Sequence, residues 1–136
     1  MNTEVLAIST DSVYTHKILN EIELSKMVEG GVPFPILADD TGSIGKAYEV
    51  FDEKLGTTLR GTFIIDPNGY VHGMEILTTP AGRSVSEILR QLKAFQTYIS
   101  TKQLIPADWN PGDITLPEEI GNVGNIWTLW KPKKTE

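Results

Sequence analysis

Val5-Leu6-Ala7-Ile8-Ser9 is an apolar run with no polar alternation, the pattern of a strand buried on both faces, as in a parallel sheet. Thr10-Asp11-Ser12 then offers helix-capping oxygens. Tyr14, Ile18 and Ile22 follow at four-residue spacing with Leu19 beside them, predicting a helix to about Met27 that Gly30-Gly31 ends. Val32-Pro33-Phe34-Pro35 is extended, because each proline restricts the residue before it. Ile36-Leu37 reads as a short strand, and Gly42 to Glu49 as a short helix. Leu59 to Ile65 and Tyr70 to Leu77 are strand-like runs joined by Asp66-Pro67-Asn68-Gly69. Proline presets one turn dihedral there and glycine permits a positive φ, so a β-hairpin is predicted.

Ser84-Val85-Ser86-Glu87 has the spacing of a capping box. Val85, Ile88, Leu89, Leu92, Phe95 and Ile99 continue as an apolar stripe at helical spacing, predicting a helix from Ser84 or Val85 to about Lys102. Beyond it Pro106, Pro111, Pro117 and several glycines make an irregular tail that holds Trp109, Trp127 and Trp130. A free tail would not usually expose three indoles, so the tail is expected to pack onto something. The order of strand, helix, extended segment, hairpin and helix gives an α/β layer fold with helices against a mixed sheet. At 136 residues the chain is read as one domain, with an α/β core over 1–103 and an irregular C-terminal arm over 104–136.

Charge and composition narrow the function. A net charge of −6 argues against nonspecific nucleic-acid binding and against docking on an anionic membrane. No apolar stretch approaches the ~20 residues that span a bilayer, and Met1-Asn2-Thr3-Glu4 is not a basic stretch ahead of an apolar run. A cytoplasmic location is the resulting expectation. The absence of cysteine removes disulfides, thiolate metal sites and cysteine nucleophiles together. No metal is implied, since His16 and His72 belong to no His/Asp/Glu cluster with a recognisable ligand spacing, and no organic cofactor, since no phosphate-cradling glycine loop is present. Both histidines read as surface or boundary residues, and Asp39-Asp40 as a solvated acidic pair. Ser84 is better explained as a helix cap than as a nucleophile, and Phe95 and Tyr98 as helix packing.

Five segments, in order, resemble the peroxiredoxins, the family of alkyl hydroperoxide reductases and thiol-specific antioxidants. They are Val5-Leu6-Ala7-Ile8-Ser9-Thr10-Asp11-Ser12; Phe34-Pro35-Ile36-Leu37-Ala38-Asp39; Leu59-Arg60-Gly61-Thr62-Phe63-Ile64-Ile65-Asp66-Pro67-Asn68-Gly69; Pro80-Ala81-Gly82-Arg83-Ser84; and Pro106-Ala107-Asp108-Trp109-Asn110-Pro111-Gly112. The Arg-Gly-Thr-Phe-Ile-Ile-Asp string is the most specific of them. The resemblance implies a thioredoxin-like sheet with flanking helices. Val5 to Ser9 resembles the strand that follows the family's Pro-x-x-x-Thr-x-x-Cys motif, so the N-terminal strands, including the central one, are expected to be missing. The resolving cysteine of many members precedes the Pro-Ala-x-Trp segment, where this chain has Leu104-Ile105-Pro106.

The resemblance also implies roles. Arg60 matches the arginine beside the peroxidatic sulfur, which lowers the thiol pKa and orients the peroxide oxygens. Arg83 matches a second arginine near that pocket. Without the central strand, two buried strand edges would lose ladder partners, at about 1–3 kcal/mol for each unpaired group. Three arrangements answer this: the sheet closes directly, with Val5–Ser9 against the hairpin; a cysteine-bearing N-terminal peroxiredoxin segment supplies the strand by β-augmentation; or the natural chain is longer, which is the expectation. Self-association is expected through the Tyr70–Leu77 edge and the C-terminal arm, with a thioredoxin-like reductant once the enzyme is assembled. The chain is thus read as the C-terminal part of a thiol-dependent hydroperoxide reductase, not catalytic alone. The alternative is a non-catalytic interaction or oligomerisation module.

Overall fold

The protein is described by a computed structural model covering residues 1–133. It gathers into two compact units, one of Met1–Thr62 with Glu75–Gly82 and the other of Phe63–Met74 with the chain from Arg83 onward.

In the first unit, β1 (Ala7–Ser9) runs parallel to β2 (Ile36–Ala38), with Ala7 opposite Ile36 and Ser9 opposite Ala38. Parallel strands need a crossover, and a helical segment supplies it. This begins as α1 (Val13–Leu19), whose first turn is capped by Ser12: its Oγ accepts the Thr15 N–H at 3.2 Å. A π turn (Asn20–Leu24) leads into α2 (Ser25–Met27), so the helical run ends where the periodicity placed it. Asn20 locks this end of the crossover. Its Oδ1 accepts the Val32 N–H at 3.0 Å, and its side chain lies so close to Gly31 (φ +81°) that a Cβ there would overlap it.

Two expectations are corrected in this unit, and one of the three alternatives for the sheet is set aside. Val5, Leu6 and Ile8 are exposed, not buried on both faces, because β1 has β2 as its only ladder neighbour among the described residues. Among the described residues no ladder joins β1 to the hairpin either. Asp39 is not solvated but only 3 % exposed. It stands just before α3 (Ser43–Ala47): Oδ1 accepts from the Ile44 N–H at 3.0 Å and the Ser43 Oγ at 3.3 Å, and Oδ2 from the Gly45 N–H at 2.7 Å. Burial pushes its pKa up, but the Gly45 and Ile44 amides and Ser43 outweigh it, and the carboxyl is held below its ordinary value. Its neighbour Asp40 is exposed. Past α3, β3 (Phe51–Asp52) pairs antiparallel with β4 (Thr57–Thr58), and Asp52 Oδ1 closes the turn by accepting the Lys54 and Leu55 amides at 2.9 and 3.1 Å.

The predicted hairpin is present: β5 (Arg60–Ile65) and β6 (Val71–Leu77) form a two-stranded sheet. In its turn, Asp66 Oδ1 accepts the amides of Asn68 and Tyr70, each at 2.9 Å, and Gly69 takes φ +88°. In the second unit α4 (Val85–Thr101) begins at Ser84, whose Oγ accepts the Glu87 N–H at 3.3 Å, and Lys102 ends it in the left-handed conformation. The capping box is half formed, because the Glu87 carboxylate turns to Arg90 and Gln91 instead. Phe95 of α4 packs on the His72 ring, with centroids 5.5 Å apart, and against Gly73.

The tail folds back on itself. Its strands β7 (Gln103–Leu104) and β8 (Leu116–Pro117) pair antiparallel, followed by a 3₁₀ turn (Ile120–Asn122) and α5 (Ile126–Leu129). Trp109 is only 4 % exposed. Trp130 is half-buried and Trp127 is exposed, so the covered-indole expectation holds in full for Trp109 alone. The buried apolar residues among those described are Val50, Ala94, Trp109 and Leu116.

Because the folded-state pKa of Asp39 is depressed, its contribution to stability is present above the ordinary value of 3.8 and is lost as pH falls through the folded one. Asp39→Asn should therefore lower the urea midpoint at pH 7, and the gap from the parent chain should close below about pH 4. Urea titrations at several pH values measure it; a gap that persists unchanged in acid would contradict the role given to the carboxylate.

Candidate functional site

Arg60 opens β5. The residue before it is pinned by the Leu59 N–H donating to the Val50 carbonyl at 2.8 Å, and Val50 is itself buried. The β3–β4 turn just upstream is rigidified by Asp52, so Arg60 follows a tightly held stretch of backbone. Its side chain is exposed, and its guanidinium enters no hydrogen bond or ion pair among the described residues. A guanidinium not committed to an internal carboxylate keeps its donor fork available to an external anion or polar ligand.

Arg83 lies in the second unit, one residue ahead of the Ser84 cap, and is exposed. That position sets its positive charge beside the positive end of the α4 dipole, an arrangement that favours an anionic or electron-rich neighbour.

Of the two histidines, His72 is the half-buried strand residue expected, while His16 differs from expectation. His16 is 6 % exposed. Its Nε2 lies 2.7 Å from Ser9 Oγ, and Ser9 gives its single hydrogen to Asp11 Oδ2 at 2.9 Å. The imidazole must then donate to Ser9, which is the wrong direction for activating a serine nucleophile. Helical periodicity would have placed His16 beside the polar positions, and only the short contact to Ser9 reveals its burial. His72 Nε2 stands 3.2 Å from Asp66 Oδ2. The Asp66 carboxyl is held below its ordinary value, first by the Tyr70 amide, against the opposing effect of burial, and further by His72 and Asn68. This pair is a brace for the hairpin turn.

A third arginine, Arg90, was not singled out by sequence. Its Nε and Nη2 donate to the two oxygens of Glu87, both at 2.7 Å, while Nη1 donates to the Trp109 carbonyl at 2.8 Å. Gln91 Nε2 adds a bond to Glu87 at 2.9 Å. Arg90 and then Gln91 hold the Glu87 carboxyl down at about 2. The Glu-x-x-Arg-Gln spacing carried the signal for the pair, but nothing in the sequence pointed to Trp109 as the third partner. No group of three or more His, Cys, Asp or Glu residues suited to a metal ion occurs among the described residues. No helix among them is long and apolar enough to cross a membrane.

The sequence profile of the AhpC/TSA family matches residues 1–74. The selenocysteine-containing peroxiredoxin PrxU of Peptoclostridium acidaminophilum is 48% identical over 136 residues, spanning 98% of this chain and 67% of its own. The mitochondrial thioredoxin-dependent peroxide reductase of Drosophila melanogaster is 43% identical over 82% of this chain and 47% of its own. Among solved structures, the reduced 2-Cys peroxiredoxin of Plasmodium vivax superposes with a TM-score of 0.77 at 36% identity, over 84% of this chain and 58% of that one. The chain thus spans about half to two thirds of the length of these relatives, and its fold is the thioredoxin-like one of peroxiredoxins.

The Arg90 contact predicts how the tail is held. Arg90→Ala should free the Trp109 carbonyl at a cost of about 1 kcal/mol. The tryptophan emission should shift to longer wavelength and chymotrypsin should cut the 104–116 stretch, after Leu104 or Trp109, faster. Unchanged emission and cleavage would show that Arg90 does not anchor the tail.

Proposed function

Since the chain belongs to the AhpC/TSA family of peroxiredoxins, we propose that it forms the C-terminal part of a thiol-dependent hydroperoxide reductase and is not catalytic by itself. The observation that carries this reading is the pairing of 48% identity to a peroxiredoxin, in an alignment covering 98% of the chain, with the absence of any cysteine in it. A peroxidase of this class needs a chalcogen nucleophile. Its anion attacks one peroxide oxygen, the O–O bond breaks, the other oxygen leaves as alkoxide and takes up a proton, and the nucleophile becomes a sulfenic acid. The electrons that restore it come from a thioredoxin-like dithiol. In this reading a cysteine-bearing N-terminal peroxiredoxin segment brings the nucleophile. Arg60 supports the anion and the polarised peroxide, and Arg83 adds positive charge near the same pocket.

Residues 1–103 serve as the core and 104–136 as an arm. The open β6 edge, with Tyr70, Val71, Met74 and Ile76 exposed, supports homo-oligomer formation along Tyr70–Leu77, with the arm as a second contact. The proposed compartment is the cytoplasm, where the thiol pool is kept reduced.

A second reading concerns the redox atom. The relative at 48% identity is selenocysteine-containing, which favours a selenol over a thiol as the nucleophile working with this chain. Selenium labelling decides it. Cells of the source organism grown with ⁷⁵Se, and precipitated with an antibody to these residues, should yield a labelled polypeptide larger than 15.1 kDa. A precipitated band without label would exclude the selenol.

Peroxide consumption with a dithiol reductant tests the main reading. The 136-residue chain alone should be inactive, and joined to a cysteine-bearing N-terminal peroxiredoxin segment it should turn over. In the joined protein Arg60→Ala should lower kcat/KM roughly 10- to 100-fold, the loss of one charge-assisted contact in the transition state. A folded, soluble joined protein without activity would leave the interaction module as the function.

A further inference from the structure

The tail forms a half-open cavity that the redox reading does not use. It measures about 290 Å³, lies wholly within the second unit, and is lined by Pro106, Trp109, Asp113, Trp130, Lys131 and Lys133, among others. That volume sits at the small end of the ~300–1,000 Å³ typical of small-molecule sites, enough for one ring and a short side group.

The lining determines what could bind. Trp109 is fixed at both polar ends: its indole N–H donates to the Asp113 carbonyl at 3.1 Å, and its own carbonyl accepts from Arg90 at 2.8 Å. Its remaining offer is the apolar ring, and Trp130 and Pro106 extend that surface. Such walls favour a flat apolar body. The charges at the rim do not cancel. Asp113 Oδ2 accepts from the Asn110 N–H at 2.9 Å and from Lys133 Nζ at 2.8 Å, so Lys133 and Asp113 neutralise one another. Lys131 is exposed and enters no hydrogen bond or ion pair among the described residues. Among the described residues the rim therefore keeps one positive charge without a partner, Lys131, on a chain whose net charge is −6.

We propose that this cavity binds a small aromatic monocarboxylate, with its ring against Trp109, Trp130 and Pro106 and its carboxylate on Lys131. Neither Arg60 nor Arg83 takes part, so the proposal stands or falls apart from the peroxidase reading.

Isothermal titration of the 136-residue chain with 3-phenylpropanoate, its neutral amide and 3-phenylpropylamine tests it. The carboxylate should bind roughly tenfold tighter than the amide, the worth of one charge-assisted contact, and the amine weakest of the three. Lys131→Met, a change at an exposed side chain that leaves the fold intact by circular dichroism, should reduce the carboxylate to the affinity of the amide. Trp130→Leu should weaken both. Equal binding of carboxylate and amide, an unaltered affinity in Lys131→Met, or no heat with the carboxylate up to about 10 mM would each overturn the proposal.

Discussion

Hydrogen bonding along the strands is the constraint on which the rest of this structure depends. Every sheet among the described residues has two strands, so each strand is bonded along one edge and offers the other. A strand edge is a row of strong donors and acceptors that must find water, a side chain or another strand. The same shortage explains the exposed apolar residues. Leu6 and Ile8 flank one open ladder, and Val71, Met74 and Ile76 line another. Side chains on a two-stranded sheet lack the neighbouring strands that would cover them. The buried apolar set of Val50, Ala94, Trp109 and Leu116 is correspondingly small.

With so little burial, local polar contacts set the geometry. Asp39, Asp52 and Asp66 each turn a carboxylate onto two or more backbone amides and fix a turn or a helix start. Glu87 does the same work through Arg90 and Gln91. Acidic composition is therefore misleading when read as a repulsive surface field. Part of it is internal structure, and the Asp39, Asp66 and Glu87 carboxyls are held in the charged form by the groups they accept from.

The features legible in sequence were those whose cause is local. The Asp66–Gly69 turn, the Ser84 cap and the apolar stripe of α4 are specified within a few residues by φ preferences, capping oxygens and helical period. Arg60 and Arg83 were legible as positions, through the segments around them, and both are exposed. What sequence did not reveal were contacts that no turn, cap or helical period specifies. Asp39 looked like half of a solvated pair until α3 folded its amides over it. His16 looked like a polar helix position, yet Ser9 holds it in the interior. The Arg90–Trp109 bond joins residues 19 apart, beyond the reach of any periodicity. The burial expected for Val5–Ser9 failed for a related reason: an apolar run marks a strand that can be buried, while burial itself requires neighbours on both sides.

The exposure of Arg60 bears directly on why a covering segment matters to the proposed chemistry. A guanidinium 4 Å from an anion is worth about 1 kcal/mol in bulk water, and about 4 kcal/mol where the effective dielectric constant falls to ~20. In the water-facing state of Arg60 seen here, a thiolate or selenolate placed beside it would gain little. A segment that lays its own backbone over the open ladders would remove that water while it delivers the chalcogen. The two requirements of the reaction, a nucleophile and an environment in which arginine can stabilise it, would then be met by a single act of assembly. On this argument, simply adding a small thiol to the chain cannot reproduce the activity, because it supplies the atom without the change in dielectric.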